Sequence, residues 1–215
     1  MISCKEYVSL RKAVLQEQTQ TMSKQPCLVV MQIDENPASD AYIRGKKKDC
    51  AELGINCLHV QYSSFGLSQE KFERLVTEFG RSDDVHGIII QLPIPKTYDL
   101  QRLLDCILKE KDVDGFRKDS FFHSCTPKGI MDWLAYNQIN LLGKQVCVVG
   151  RSEIVGKPLV NLLIDAGATV VCCNSHTKDL QILTNIDKVG RYCGDCHWTT
   201  EMVYRRIFYR QSNYH

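Results

Sequence analysis

Gln145-Val146-Cys147-Val148-Val149-Gly150-Arg151-Ser152-Glu153-Ile154-Val155-Gly156 is the stretch that decides the fold. Residues 145–149 are nearly continuously apolar and read as a buried strand, which runs straight into glycine, and a helical pattern then covers 156–166. A second short strand follows at 169–173. Strand, glycine turn, helix and strand in this order form a parallel pair with a right-handed crossover, so the chain is α/β.

Such a turn gathers backbone N–H groups at the positive end of a helix dipole, where a phosphate is favoured. Ser152 stands where G-x-G-x-x-G has its second glycine, so a pyrophosphate would approach differently here. Packing alone also produces glycine turns of this kind. The next strand ends in Asn174-Ser175-His176-Thr177, with no carboxylate for a ribose 2′-hydroxyl. Arg151 and Ser175 are suited to a 2′-phosphate, which favours NADP over NAD; the alternative is a polar loop and a solvated arginine.

Upstream the alternation continues. Helices are expected over 5–23, 39–53, 68–79 and 100–108, and strands over 27–31, 55–62 and 87–92. Ser39 is the expected N-cap of the second helix, and Gly54 and Gly80 are expected to stop the second and third. The polar stretch Arg117-Lys118-Asp119-Ser120 marks a boundary, giving an N-terminal α/β catalytic domain over 1–120 and a partial Rossmann-type NADP-binding domain over 121–187. The second domain opens with a helix from Thr126-Pro127 through Tyr136, proline being suited to a first turn.

The chain has 215 residues, 44% hydrophobic and 24% charged, with a formal net charge of +2, which fits one or two soluble domains. Lysines and arginines form no clustered footprint for nucleic acid. No apolar stretch approaches the roughly 18 residues of a membrane span. The N-terminus lacks an apolar signal core, so a cytoplasmic location is expected, with the eleven scattered cysteines reduced and mostly small core residues.

In the first half, Tyr42 and Lys46 are spaced i, i+4 and share a helical face. A lysine beside a phenol can hand on a proton while the phenol orients a substrate, although Lys46-Lys47-Lys48 also reads as a solvated run of charge. Gln91 is a polar residue at the C-terminal end of an apolar strand, the edge where open α/β sheets bind ligands. Asp114 lies in a tight Asp-x-Asp-Gly loop in which Asp112 is the purely structural member; an Asx turn accounts equally for Asp114. No metal site is expected from these groups.

Taken together, Asn36-Pro37-Ala38-Ser39 with Tyr42-Ile43-Arg44-Gly45-Lys46, Gln91-Leu92-Pro93-Ile94-Pro95, Lys111-Asp112-Val113-Asp114-Gly115-Phe116, Cys125-Thr126-Pro127-Lys128-Gly129-Ile130 and the glycine turn resemble the bifunctional methylenetetrahydrofolate dehydrogenase and methenyltetrahydrofolate cyclohydrolase family. The resemblance covers about residues 27–184. It implies that Lys46 is the catalytic lysine, Tyr42 stacks on or orients the folate, Gln91 tunes the lysine and Asp114 holds the pterin. It further implies that Gly150, Arg151, Ser152 and Ser175 hold NADP, and that the protein is a homodimer acting on tetrahydrofolate derivatives. The implied reactions are oxidation of 5,10-methylenetetrahydrofolate and hydrolysis of the methenyl product to 10-formyltetrahydrofolate. Ser124 departs from the family's usual proline, and the stretch 117–123 is shorter than in many members.

Residues 188–215 show no strand or helix period and read as an aberrant tail on a C-terminally truncated Rossmann domain. Cys193-x-x-Cys196-His197 has the form of a haem attachment pattern, which needs export, and as a zinc site it lacks an evident fourth ligand. Possible codons for 190–203, read one base later, permit Ala-Asp-Ile-Val-Val-Ile-Ala-Ile-Gly-Gln-Pro-Lys-Trp, an apolar strand and glycine turn, with the glycine and tryptophan forced. A frameshift between about Thr184 and Gly190 is therefore the expectation. The competing functional reading is a non-catalytic remnant that at most binds folate.

Overall fold

The structure is a computed structural model that describes residues 3–178 and the backbone of 191–193 and 206–210. Residues 8–122 form one compact unit, and residues 1–7 with 123–215 contribute to a second. The first helix, α1 (Cys4–Gln20), opens with a capping box: Ser3 Oγ accepts the Glu6 N–H at 3.2 Å and the Ser3 N–H reaches Glu6 Oε2 at 3.4 Å.

In the first unit, β1 (Cys27–Ile33), α2 (Pro37–Glu52), β2 (Asn56–Tyr62), α3 (Gln69–Arg81) and β3 (Gly87–Ile90) alternate, followed by the short α4 (Leu100–Asp105) and a 3-10 turn at Lys109–Lys111. The three strands form one parallel sheet in the order β2-β1-β3, with Val29 opposite both Leu58 and Ile88. The central strand is covered on both faces, so it reads as a continuous apolar run over 27–31. Val29, Met31, Ile88 and Ile90 pack with Phe72 and Val76 of α3 and Leu103 and Leu104 of α4, while Val30 and Ile89 meet Ile43 of α2. Gly80 lies within α3, whose last turn continues because Lys111 Nζ donates to the Gly80 and Ser82 carbonyls at 2.7 and 2.8 Å. The helix expected over 100–108 ends early, at Asp105.

The second unit contains α5 (Cys125–Tyr136), β4 (Gln145–Val149), α6 (Gly156–Asp165) and β5 (Thr169–Cys173). β4 and β5 are parallel, as the deciding stretch predicts. Trp133, Leu134, Val146, Val148, Leu159 and Leu163 form the core, and Tyr7 joins it with its ring 5.1 Å from that of Tyr136.

The tail differs from its sequence reading. Two strands occur in it, β6 (Arg191–Cys193) and β7 (Arg206–Arg210), and β7 runs antiparallel along β4, giving the sheet order β5-β4-β7-β6. Pairing uses backbone N–H and C=O groups along the open edge of β4, so it does not require alternation of side chains. The haem and zinc readings at Cys193, Cys196 and His197 fall on side chains outside the described residues. No disulfide joins the nine cysteines whose side chains are described.

Candidate functional site

In the first unit the site starts where β1 hands over to α2. Asn36, followed by proline in the first helical turn, accepts the N–H groups of Ala38 and Ser39 at 3.0 and 3.1 Å and is the true N-cap. Ser39, expected to cap, is buried and donates its hydroxyl to the Leu92 carbonyl at 3.1 Å. Both capping signals were present in the sequence; the asparagine next to Pro37 prevails.

One and two turns beyond Ser39, α2 carries Tyr42 and Lys46. Lys46 Nζ donates to Gln91 Oε1 at 3.0 Å. Gln91 is 7% exposed, its backbone N–H is bonded to the Met31 carbonyl at 2.8 Å, and its Nε2 donates to the Leu92 carbonyl at 2.8 Å. The Leu92 carbonyl thus receives both Ser39 and Gln91. This fixes the amide with its nitrogen on Leu92 and its oxygen, an acceptor only, toward the lysine. The Leu92-Pro93 bond is cis. Tyr42 is 39% exposed.

Asp114 occupies the crest of a short loop. Gly115, with φ of 66°, donates its N–H to the Asp112 carbonyl at 3.1 Å, and the buried Asp112 carboxylate accepts the Arg117 N–H at 2.9 Å and the Phe116 N–H at 3.4 Å. Asp112 has the structural role expected of it. Burial raises the pKa of the Asp114 carboxyl above the usual carboxylate range; the charge of Lys46 pulls it down, and Asp112 adds to the rise. Lys46, Gln91 and Asp114 are therefore coupled, by one hydrogen bond and one charge interaction.

A second polar chain lies behind α2 and escaped the sequence reading. Gln32, 1% exposed in β1, donates to Asp40 Oδ1 at 3.0 Å and faces His59 Nε2 at 2.8 Å. Because the Gln32 nitrogen is on Asp40, its oxygen is what meets His59 Nε2 and accepts from it, and burial, with the nearby Lys47 charge, lowers the His59 pKa. The available signal was a glutamine within an apolar run, the same signal that identifies Gln91.

The second unit builds its turn from backbone. Gly150, at φ of 120°, donates its N–H to the Cys173 carbonyl at 2.7 Å, and a Cβ on Gly156 would lie 2.3 Å from the Gly150 oxygen. Glycine is required at both ends of the turn, because the start of α6 rests on the backbone of Gly150 and Arg151. Ser152 Oγ accepts the Gly156 N–H at 3.2 Å, which leaves the hydroxyl hydrogen to donate elsewhere. Ser124, the departure from proline, donates its hydroxyl to the Ile154 carbonyl at 2.5 Å and so fastens α5 to the turn. Arg151 and Ser175 are exposed. Ser175 sits in a turn closed by the Asn174 N–H on Thr177 Oγ1 at 2.8 Å and the His176 N–H on Asn174 Oδ1 at 2.9 Å. Among the described residues no group of three or more His, Cys, Asp or Glu is placed to hold a metal, and no helix is long and apolar enough to cross a membrane.

The catalytic-domain model of the tetrahydrofolate dehydrogenase/cyclohydrolase family matches residues 2–114, and the family's NAD(P)-binding-domain model matches residues 124–200, running past residue 187 into the tail. The chain is 40% identical over 169 residues to the bifunctional protein FolD of Dechloromonas aromatica, covering 74% of this chain and 59% of that protein. It is 36% identical over 192 residues to FolD of Bacillus licheniformis, with coverage of 84% and 67%. The crystal structure of the bifunctional FolD dehydrogenase/cyclohydrolase from Campylobacter jejuni superposes with a TM-score of 0.80 at 35% identity, covering 84% of this chain and 68% of that one. The Trypanosoma brucei enzyme, complexed with NADP cofactor and inhibitor, superposes with a TM-score of 0.77 at 26% identity, covering 85% and 66%. Against its curated relatives the chain spans as little as 58% of their length. By both domain matches and by these identities, the chain belongs to the tetrahydrofolate dehydrogenase/cyclohydrolase family.

Proposed function

We propose that the chain acts in one-carbon folate metabolism, oxidising 5,10-methylenetetrahydrofolate with NADP and hydrolysing the 5,10-methenyl product to 10-formyltetrahydrofolate. The observation that carries this reading is the 3.0 Å contact of Lys46 Nζ with an amide oxygen whose orientation is already fixed. A lysine so held keeps one N–H on Gln91 and presents its remaining valences to a substrate. In hydrolysis Lys46, once its ammonium has given a proton to solvent, takes the proton released as water adds to the methenyl carbon and returns it to the ring nitrogen that leaves. Asp114 binds the pterin edge, and Tyr42, partly exposed on the same helix, stacks on or orients the folate.

Bound NADP supplies the hydride acceptor for the oxidative step. The glycine turn fits such a group through the close approach of its backbone and the dipole of α6, a ten-residue helix. The N–H groups of Gly156 and Lys157 are bonded to Ser152 and Pro158 has none, so the donors would come from the turn itself and from the Ser152 hydroxyl. Gly150 and Ser152 would hold the phosphates, and Arg151 and Ser175 the 2′-phosphate. The domain assignment follows as 1–120 for folate, 121–187 for NADP and 188–215 as a tail. A homodimer and a cytoplasmic location, with neither nucleic acid nor membrane as partner, belong to the same reading.

Spectrophotometric turnover of methylenetetrahydrofolate by the 215-residue chain, with NADP and NAD in parallel and Lys46→Ala as control, tests it. NADP-dependent product that disappears in Lys46→Ala is expected. The antiparallel β7 beside β4, in place of a further parallel strand, favours a second reading, a remnant that binds folate without turnover. Folate binding by a folded chain that makes no product would select it.

A further inference from the structure

We propose that Arg117 is a positioning residue that sets the Asp114 carboxyl by locking the far end of the Asp112–Arg117 loop to the C-terminus of α4. This rests on the reading of Asp114 as part of the folate site. Arg117 looks like boundary decoration in sequence, the first member of the polar stretch Arg117-Lys118-Asp119-Ser120. In the fold its side chain is 11% exposed and the two N–H groups of its Nη1 serve three carbonyls, those of Leu104, Asp105 and Ile107, at 3.2, 2.6 and 2.8 Å, one N–H being shared. Those oxygens belong to the end of α4 and the residues just after it, where the dipole favours a cation; that of Leu104 also accepts the Ile107 N–H at 3.0 Å. The outer edge of the guanidinium pairs with Asp119 Oδ1, from Nε at 2.9 Å and Nη2 at 2.8 Å.

The same residue closes the loop through its backbone, since its N–H is held by the buried Asp112 carboxylate at 2.9 Å. At the near end, Lys111 Nζ fastens the chain to the end of α3 through the Gly80 and Ser82 carbonyls. Asp114 therefore sits between two clamps, each a cation seated on a helix C-terminus, and only Arg117 follows it in the chain. A flexible or shorter cation could not span three carbonyls and an aspartate at once, because the fork of the guanidinium supplies five donors in fixed directions. Losing the side chain leaves that end of the loop held only by the backbone N–H groups on Asp112, so the loop loosens and the Asp114 carboxyl gains water.

The test follows the Asp114 carboxyl by 13C NMR through a pH titration in the ligand-free 215-residue chain, in the wild type, Arg117→Lys and Arg117→Met. Lys46 and Asp112 are the charged groups that act on Asp114, and both are retained in every sample. Hydration of the carboxyl should lower its titration midpoint by about one unit in Arg117→Met and by less in Arg117→Lys. An unchanged midpoint in a folded Arg117→Met chain overturns the proposal. Should that variant fail to fold, Arg117→Lys decides, a lowered midpoint supporting the proposal and an unchanged one overturning it. Tetrahydrofolate affinity on the same samples separates the two readings: a midpoint that moves as expected in chains that never bind tetrahydrofolate upholds the positioning role and removes the folate assignment.

Discussion

The two units solve the problem of placing a polar site in opposite ways. In residues 8–122 the candidate site is made of side chains, with Ser39, Gln91 and Lys46 tied through one carbonyl and one amide. In the second unit it is made of backbone, with two glycines bringing the chain against itself while Arg151 and Ser175 stay exposed. The first arrangement places specific atoms and suits proton transfer, whereas the second brings turn backbone to the positive end of a helix dipole and suits an anion. Substitutions should accordingly act through lost partners in one unit and through lost space in the other.

Gly156→Ala should have the largest effect on folding. Its new Cβ would fall 2.3 Å from the Gly150 oxygen, a backbone atom that cannot swing aside. The expected cost is about 3 kcal/mol, read by thermal or denaturant unfolding. Gly45→Ala on α2, with nothing within 4 Å of its Cβ, should instead gain about 0.5–1 kcal/mol. Equal effects at the two sites would break the contrast.

Gln91→Leu should cost about 2 kcal/mol, because the Lys46 ammonium loses its acceptor and the Leu92 carbonyl one of its two donors. Turnover should fall by about a hundredfold alongside it. Unaltered turnover in a folded Gln91→Leu chain would show that the lysine needs no such partner. A smaller loss, about 1 kcal/mol, is expected for Ser124→Ala, which removes the hydroxyl bonded to Ile154. Unfolding midpoints of the two variants, compared in one denaturant series, check the order.

The smallest effect is a pH dependence. A carboxyl whose folded pKa lies above its ordinary value binds its proton more tightly in the fold than in the unfolded chain, so its ionisation costs stability as pH rises. Below the ordinary value of 3.8 that cost is absent, and above the raised folded pKa it is complete. Asp114→Asn should therefore be more stable than the wild type at pH 7, with the gain shrinking as pH falls toward 3.8. Unfolding measured across pH checks this, and a gain that does not vary with pH contradicts it.

What could be read from sequence follows the same division. β4 and β5 lie where the apolar runs and glycines put them, because a buried parallel strand is a local pattern. The positions of Lys46 and Gln91 were legible from helix spacing and from a polar residue at a strand end. Their contact was not, since it joins residues 45 positions apart. The same holds for Ser39 on Leu92 and for Arg117 on the end of α4: each residue carries a local signal, as cap or as boundary, and its tertiary partner overrides it. β7 was illegible for another reason, since it is recruited by the open edge of β4 and not by its own alternation.

Hydrolysis of methenyltetrahydrofolate by the purified 215-residue chain, measured without NADP beside Lys46→Ala, tests the central claim most directly because it calls only on the side-chain site of the first unit. The account predicts hydrolysis above the uncatalysed rate in the wild type and its loss, by about a hundredfold or more, in Lys46→Ala. A folded wild-type chain that hydrolyses no faster than buffer, or a Lys46→Ala chain that hydrolyses as fast as the wild type, would contradict it.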